Sequence, residues 1–351
     1  MPLFLLFTVL YYTSVLMILI RNLERARTEL SLDSFLSHEH TNAIKGIATV
    51  GIVISHIAAW IKNGVGGPTR YYVVLGTTLG GIGVNLFFFA SGLGNYYSVR
   101  KLKHVNDRAR WFLKRILSIL SVFAVCFLLT SIILYFEGYK QPLAEIVGNL
   151  AGLRMPLTKT WYLKIQILLY GFLFVSLFLK NEKIQGILLL GLSFISSYLL
   201  HRFGYTEEWW KSTLCFSLGF FTAVYKEQII VLLNTRKQYL YWGSLIALPV
   251  FFIMACLIEN FGVKVLGNTL LMINMMVVAE YFKIDDRNAG RIGIASLEIY
   301  LIHISLCGWY LRDKVPDMVG IGKVLLWTGL ASFIAKIIDD KISSIIKMIK
   351  P

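Results

Sequence analysis

The repeated run of long apolar stretches is the feature that most constrains the fold of this chain. Hydrophobic residues make up 56% of the 351 positions and charged residues only 16%, whereas soluble domains carry about a quarter charged residues. The charges cluster between stretches that approach the ~20 apolar residues a helix needs to cross a bilayer. A backbone in lipid must satisfy its own hydrogen bonds, which helices do. We therefore predict an all-α, polytopic transmembrane helical bundle.

Eleven membrane spans are predicted, with short loops between them and no inserted soluble domain. They are residues 2–20, 44–61, 72–97, 112–136, 161–180, 184–200, 212–225, 239–257, 263–281, 293–311 and 319–337. The span at 212–225 is short and could extend into the apolar residues 229–233. The first stretch has no basic leading region and no small-residue cleavage site, so we interpret it as a retained helix. No internal repeat is evident, which argues against a transporter built from duplicated halves.

The distribution of lysine and arginine predicts the orientation of the chain. With the N-terminus outside, 23 of the 35 Lys and Arg residues fall on the inner side. Positive residues concentrate on the cytoplasmic side of membrane proteins. The C-terminus is therefore expected in the cytoplasm.

A basic loop carries much of the net charge of +15. It begins at Arg100 and Lys101 and continues through Lys114 and Arg115. Residues 100–104 have none of the interleaved aromatic side chains that stack on bases, so we expect no nucleic-acid partner. We interpret the loop as a positive-inside segment, with the holding of a phosphorylated cofactor as a compatible second role.

The cysteines predict neither a disulfide framework nor a metal site. All of them lie inside apolar segments and none has metal-ligand spacing. We interpret them as small hydrophobic residues: Cys126, Cys215, Cys256 and Cys307.

The second span contains the best candidate for chemistry. Lys45 and His56 are eleven residues apart, which brings them to nearly the same helix face, roughly 16 Å apart along the axis. Lys45 lies at the cytoplasmic end and His56 in the outer half of the membrane. An ionisable residue at that depth is a functional candidate, and histidine accepts a proton near neutral pH. The structural alternative is a snorkelling lysine and a histidine that makes an interhelical hydrogen bond.

The third span combines glycines with isolated polar residues. Gly76 and Gly80 have the small-xxx-small spacing that lets helices approach closely. Helix packing explains these glycines. It explains less well why Asn85 and Ser91 lie among such apolar neighbours.

These features resemble the membrane acyltransferase family 3, integral membrane enzymes that decorate bacterial surface glycans. The family has a basic residue and a histidine spaced like Lys45 and His56, followed by a glycine-rich span that ends like residues 87–92 (FFFASG). The resemblance covers residues 40 to 337, and three further stretches agree with it. They are residues 111–117, residues 160–163 with Gln166 and Tyr170, and residues 296–303.

The chain departs from the family pattern at a few positions. The usual arginine is Lys45 here, which keeps the charge but loses bidentate phosphate recognition. A glutamate common in the tryptophan-led helix is Gln166, so we assign no acid there. The proline common after the basic helix entry is absent.

The resemblance implies an acyl-CoA donor, usually acetyl-CoA, with succinyl as a second candidate acyl group. We expect the basic inner face to bind the nucleotide phosphates and the pantetheine arm to reach His56. His56 would be the general base on a sugar hydroxyl, a role typically worth about 10²–10⁴-fold. The competing mechanism makes His56 the nucleophile and forms an acyl-histidine. The expected cofactor-binding residues are Lys45, Arg100, Lys101, Lys114 and Arg115.

The residues assigned to substrate binding keep structural alternatives. Trp161 and Tyr162 could stack on a sugar or form an aromatic interface belt. Glu298 is expected to pair with Lys45 or Arg115, and His303 to line the tunnel or to make an interhelical contact. The full substrate-binding set is Ser91, Trp161, Tyr162, Glu298, Tyr300 and His303. The remaining histidines are expected in loops without evident chemistry: His38, His40, His104 and His201.

The predicted organisation has three parts. Residues 1–43 form an extra N-terminal transmembrane helix and a cytoplasmic connector, residues 44–337 the acyltransferase core, and residues 338–351 a basic cytoplasmic tail. We expect the bacterial cytoplasmic membrane as the location. The expected partners are membrane lipid and a surface polysaccharide or lipid-linked sugar acceptor.

Two other classes of function remain at this point. A transporter or flippase of lipid-linked glycans would share the helices and the basic inner face, but it favours intramembrane charges along a pathway. Here few ionisable residues lie deep in the membrane. A receptor or scaffold is disfavoured because no sensory or interaction domain is present.

Overall fold

The computed structural model of the protein describes residues 30–61, 69–102, 104–158, 160–282, 286–311 and 318–348. Within these ranges the regular structure is helical, with no β-strand, and this confirms the predicted all-α class. The first predicted span, 2–20, lies outside the described residues.

The described helices are numbered here in chain order. They are α1 His38–Ile61, α2 Thr69–Val99, α3 Val105–Phe136, α4 Leu143–Ala151, α5 Trp161–Ser176, α6 Glu182–Arg202, α7 Thr213–Val224, α8 Lys226–Thr235, α9 Lys237–Cys256, α10 Phe261–Phe282, α11 Arg287–Ile294, α12 Ser296–Tyr310 and α13 Met318–Met348. A short 3₁₀ helix, Glu207–Trp209, precedes α7.

Every predicted span beyond the first overlaps a helix, but the count of eleven spans is not confirmed. Among the described residues, 7 helices are long and apolar enough to cross a membrane, or up to 9 spans if each of two bent helix pairs crosses once. The helix α5 is apolar but has only 16 residues, fewer than the ~20 that a full crossing needs.

The two bent pairs change the predicted boundaries. The segment after α7 does not continue into residues 229–233 as one helix, because α8 turns away at Tyr225 by 82°. A second bend of 71° at Ala295 separates α11 from α12 inside the predicted span 293–311. At the far end α13 continues through Met348, so residues 338–348 extend a helix where a tail was predicted.

Paired glycines let two helix pairs pack closely. Gly92 on α2 lies against the carbonyl of Phe216 on α7, and Gly219 on α7 lies against the carbonyl of Phe89 on α2. The same reciprocal arrangement joins α1 to α11 through Gly46 and Gly293. A side chain at any of these positions would collide with backbone, so glycine allows these close crossings. Gly80 of the predicted small-residue motif lies against Ser55 of α1.

The surface of the bundle is apolar where it would meet lipid. Large hydrophobic side chains are exposed along its helices, including Phe136, Ile187, Ile246 and Phe333. Polar groups turn inward instead: Asn85 of α2 donates to Asn268 of α10 at 2.8 Å, and both residues are buried. Since a soluble protein rarely exposes so large an apolar surface, we conclude that this is a multi-pass membrane protein.

Candidate functional site

Two histidines from α1 and α12 meet in the interior. The Nδ1 atom of His56 lies 2.7 Å from Nε2 of His303, and Nδ1 of His303 lies 2.7 Å from the carbonyl oxygen of Ile299. The two ring planes are nearly parallel, at 17°, with centroids 4.9 Å apart, as an in-plane hydrogen bond between the rings requires. His303 is fully buried, whereas His56 is only partly buried. The expected interhelical contact of His303 is therefore present, and its partner is the candidate catalytic residue.

The hydrogen bonds determine which nitrogen of His56 carries the proton and which can accept one. A carbonyl oxygen only accepts, so Nδ1 of His303 carries the proton that it donates to Ile299. In a neutral imidazole the other nitrogen is then an acceptor, so Nδ1 of His56 donates to Nε2 of His303. The Nε2 atom of neutral His56 is left with its lone pair and can accept a proton. This is the tautomer that a general base requires.

A cavity of about 690 Å³ lies beside this pair, a size within the usual range of ligand sites. Residues near the starts of α1 and α3, the end of α2 and the loop before α1 line one end of it. That end opens to the surface beside exposed Leu32, Asp33 and Tyr97. By the distribution of positive residues, this is the side predicted to be cytoplasmic.

Aromatic rings separate the inner end of the cavity from the histidines. Tyr162 and Tyr300 line the cavity and meet edge to face, with ring centroids 5.4 Å apart. The ring of His56 lies 6.4 Å from that of Tyr300 and therefore just beyond the lining. Ile52, one turn before His56, also lines the cavity. The cavity thus runs from Lys45 toward His56 along the helix face that the sequence predicted.

Three cations face the open end of the cavity. Lys45 lines the cavity. Its ammonium group forms no ion pair or hydrogen bond with any described residue. The Glu298 carboxylate attracts this ammonium group only at longer range. Arg115 donates to Oγ of Ser98 at 3.1 Å. Lys226, the first residue of α8, lies over the Tyr97 ring at 5.8 Å. Unpaired cations around a cavity make a site for an anion.

Sequence reasoning missed Lys226. The only signal for it was a lysine that directly follows a short apolar segment ending in Tyr225. Its place at the cavity depends on the bend between α7 and α8, which the composition of the segment does not reveal.

Hydrogen-bonding side chains line the middle of the cavity. Gln166 donates to Oγ of Ser91 at 2.8 Å, and the Tyr170 hydroxyl lies 3.4 Å from the same oxygen. Asn95 bonds the backbone carbonyl of Ser91 at 2.8 Å. Of these residues only Ser91 was predicted as a site residue. The cluster sits between the cations and the tyrosines, so a bound chain would pass polar groups before it reaches His56.

Several predicted site residues do not line the cavity. Arg100 lies 3.9 Å from Glu182, and Lys101 is exposed. Lys114 is the neighbour of Arg115 on α3 but lies outside the lining. Trp161 packs against Tyr162, with ring centroids 6.2 Å apart, and also lies outside the lining.

The expected ion pair of Glu298 with Lys45 or Arg115 is wrong. Glu298 is buried and pairs with Lys336 of α13 at 3.6 Å, and Lys336 also meets Asp340 at 2.8 Å. The cation was missed because α13 contacts α12 only through tertiary packing. Lys336 stands too far away in sequence for any local pattern to indicate it.

The prediction that the other histidines lie in loops is wrong for three of them. His38 and His40 begin α1, and His201 lies near the end of α6. His38 lines the cavity, His40 pairs with buried Glu280 at 3.2 Å, and His201 stacks on Phe261 with centroids 4.8 Å apart. Only His104 lies outside a helix, at the N-cap of α3.

Comparison with known proteins identifies the family. No curated protein and no solved structure matches the chain at a significant level. A family model, Acyl_transf_3, described as an acyltransferase domain, matches residues 41–335. The match covers most of the chain and includes both histidines and the three cations at the open end of the cavity. The chain therefore belongs to this acyltransferase family, as the resemblance indicated.

Proposed function

We propose that this acyltransferase moves an acetyl group from acetyl-CoA, or another acyl group from its CoA thioester, to a hydroxyl of a cell-surface or exported polysaccharide. The observation that carries the proposal is the histidine pair, because its hydrogen bonds leave the lone pair of neutral His56 on Nε2, next to the tyrosines that line the cavity. We further propose that the protein lies in the bacterial cytoplasmic membrane, with its N-terminus outside and its C-terminus in the cytoplasm.

The cavity supports an acyl-CoA donor. Its open end presents Lys45, Arg115 and Lys226, which can meet the phosphates of the nucleotide. The amide-bearing pantetheine arm would then pass Ser91 and Gln166 in the middle of the cavity. The roughly 16 Å along α1 between Lys45 and His56 is a length that an extended arm can span. The thioester would thus reach the tyrosines, next to His56.

The proposed reaction is a direct transfer. The acceptor hydroxyl gives its proton to Nε2 of His56 while its oxygen attacks the thioester carbonyl carbon. The carbon–sulfur bond then breaks, and the CoA thiolate takes the proton from His56. An ester and free CoA are formed, and His56 returns to its starting state. Positioned proton transfer of this kind contributes about 10²–10⁴-fold.

The competing mechanism uses His56 as the nucleophile. The same free Nε2 would attack the thioester, and an acyl-histidine would then react with the acceptor. Rapid quenching with radiolabelled donor and no acceptor separates the two mechanisms: direct transfer leaves no label on the protein, whereas the nucleophilic route leaves one label on each active chain.

Proton NMR of the surface polysaccharide tests the function. The strains to compare are the wild type, a deletion, and deletions carrying His56→Ala or, as a matched control, His201→Ala. His201 is a histidine stacked on Phe261 away from the cavity. We expect O-acetyl signals in the wild type and the His201→Ala strain and their loss in the other two.

The outcomes separate the candidate functions when immunoblotting shows equal amounts of each variant in the membrane. Full ester content with His56→Ala would remove His56 from catalysis. A deletion that lowers the amount of polymer while its acylation is unchanged would favour the transport of lipid-linked glycans instead.

A further inference from the structure

Tyr300 carries a buried hydroxyl at the inner end of the cavity. Only 6% of the residue is exposed, and its hydroxyl oxygen has no hydrogen-bond partner among the described residues. The Tyr162 backbone amide faces this hydroxyl without completing a hydrogen bond of normal geometry. Buried polar groups are nearly always hydrogen-bonded, and because this hydroxyl adjoins the cavity, a bound ligand can supply its partner.

The position of Tyr300 indicates what that partner is. Tyr300 lines the inner end of the cavity, and its ring lies 6.4 Å from that of His56 and 6.1 Å from that of His303. It precedes His303 on α12 by three residues, so both project from the same side of the helix. A ligand that fills the cavity toward His56 must therefore pass this hydroxyl.

The neighbouring helix end adds favourable electrostatics. Tyr162 lies in the first turn of α5, whose N-cap residue Thr160 gives no side-chain hydrogen bond to the amides of that turn. The hydroxyl of Thr160 donates instead to the carbonyl of Leu153. Thr160 thus leaves the amides of the first turn uncapped, and the positive end of the α5 helix dipole lies beside Tyr300.

We propose that the Tyr300 hydroxyl donates a hydrogen bond to the carbonyl oxygen of the acyl thioester and stabilises the negative charge that forms on it. This inference rests on the proposed acyl transfer and names the oxyanion donor for it. It makes Tyr300 a catalytic residue and assigns the inner end of the cavity to the acyl group.

The role of Tyr300 agrees with the movement of charge and protons in the proposed reaction. As the acceptor oxygen bonds to the carbonyl carbon, the carbonyl oxygen becomes an oxyanion that accepts from Tyr300 more strongly than the ground-state carbonyl does. When the carbon–sulfur bond breaks, the carbonyl re-forms and the hydrogen bond weakens. Tyr300 keeps its proton throughout, and the acceptor's proton passes through His56 to the departing thiolate.

Tyr300→Phe removes the hydroxyl and keeps the ring that packs against Tyr162. Loss of one oxyanion donor lowers kcat by about 10²–10³-fold. We expect such a fall in kcat for acyl transfer by the purified full chain in detergent or nanodiscs, with the KM for acetyl-CoA changed by less than about threefold because the effect belongs to the transition state. The matched control is Tyr281→Phe, another buried tyrosine, whose hydroxyl lies 3.5 Å from the Leu233 carbonyl away from the cavity. It should keep the wild-type rate.

A second measurement does not depend on turnover. Isotope-edited infrared spectroscopy of bound [1-¹³C]acetyl-CoA, without acceptor, reports hydrogen bonding to the thioester carbonyl. In the wild type and Tyr281→Phe the carbonyl stretch should shift to lower frequency than in solution. In Tyr300→Phe the carbonyl frequency should move most of the way back to its value in solution, while the donor still binds.

The possible failures are distinguishable. A wild-type protein that neither binds acetyl-CoA or succinyl-CoA nor transfers an acyl group would overturn the proposed function and this inference with it. A wild-type protein that transfers acyl groups, with Tyr300→Phe equal to it in kcat and in carbonyl frequency, would overturn the role of Tyr300 and leave the proposed function standing. A lower kcat with an unchanged carbonyl shift would also reject the hydrogen bond and leave a packing role.

Discussion

At the scale of single residues, the chemistry depends on how His303 holds His56. The carbonyl of Ile299 orients His303, and His303 in turn orients His56, with each link 2.7 Å long. His303 is thus a positioning residue in the proposed reaction, since it selects the His56 tautomer and does not itself meet the acyl group. The same logic applies wherever a second group fixes the proton on a catalytic histidine.

Replacing His303 tests this role. In His303→Leu the Nδ1–H of His56 loses its acceptor, so the base loses its fixed tautomer. We expect kcat for acyl transfer to fall on the order of 10²–10⁴-fold, which is the typical contribution of general-base catalysis. The KM for the donor should change little. His303→Asn retains a side-chain oxygen that can accept from Nδ1, so it should recover part of kcat.

His201→Leu is the control for loss of a histidine ring that packs on an aromatic neighbour away from the cavity. Steady-state kinetics in nanodiscs is the measurement. An unchanged kcat in His303→Leu would show that the tautomer of His56 does not need His303. A large rise in KM with kcat intact would assign His303 to donor binding instead.

At the scale of elements, the mouth of the cavity is built from helix ends. Lys45 comes from the first two turns of α1, Arg115 from early in α3, and Lys226 from the first residue of α8. The bend of 82° between α7 and α8 brings Lys226 to this mouth. A straight continuation of α7 would carry the lysine further along the same axis. The bend therefore contributes one of the three cations.

Charge reversal at the mouth should weaken donor binding. In Lys45→Glu or Lys226→Glu an attraction to phosphate becomes a repulsion, and we expect the KM for acetyl-CoA to rise at least about tenfold, equivalent to ~1.4 kcal/mol, with a smaller change in kcat. Lys45→Arg keeps the charge and should keep most of the affinity.

Lys180→Glu, an exposed lysine near the start of α6 that does not line the cavity, is the control for a general change in charge. Donor titration at several salt concentrations is the measurement, because screening should shrink the differences. Equal affinities for Lys45→Glu and the wild type would place the nucleotide elsewhere.

At the scale of the whole molecule, the two ends of the bundle bind different substrates in the proposed reaction: one binds the acyl donor and the other the glycan acceptor. The open, basic end of the cavity must face the cytoplasm, where acyl-CoA is made, and His56 must lie toward the outer leaflet, where the glycan acceptor is found. The ends are separated along α6: its first residue, Glu182, pairs with Arg100 near the basic end, and Tyr205 lies beyond its far end. The orientation of the whole chain is therefore part of the mechanism.

Cysteine labelling checks that orientation. Cys126, Cys215 and Cys307 are buried and Cys256 is only partly exposed, so a Cys256→Ser background should react little with a membrane-impermeant maleimide. In that background Tyr205→Cys should label in intact spheroplasts, and Lys101→Cys only after permeabilisation. Both positions are exposed. The reverse pattern would place the basic mouth outside and contradict a cytoplasmic donor.

The features predictable from sequence are those carried by neighbouring residues. The apolar stretches determined the helical membrane class, and all the predicted spans that the structure describes overlap helices. The Lys45–His56 spacing within one helix predicted the line along which the cavity runs, because helical geometry is regular over eleven residues. The motifs along residues 40–337 predicted the family, which the match over residues 41–335 confirms.

What only the tertiary structure decided are the contacts between helices distant in sequence. His303 meets His56 across 247 positions, Glu298 pairs with Lys336 and not with Lys45, and Lys226 reaches the mouth through a bend. The physical reason is that periodicity and composition constrain each helix separately. Which faces meet depends on backbone bends and on close crossings such as those at Gly92 and Gly219, and these arise only when the whole bundle packs.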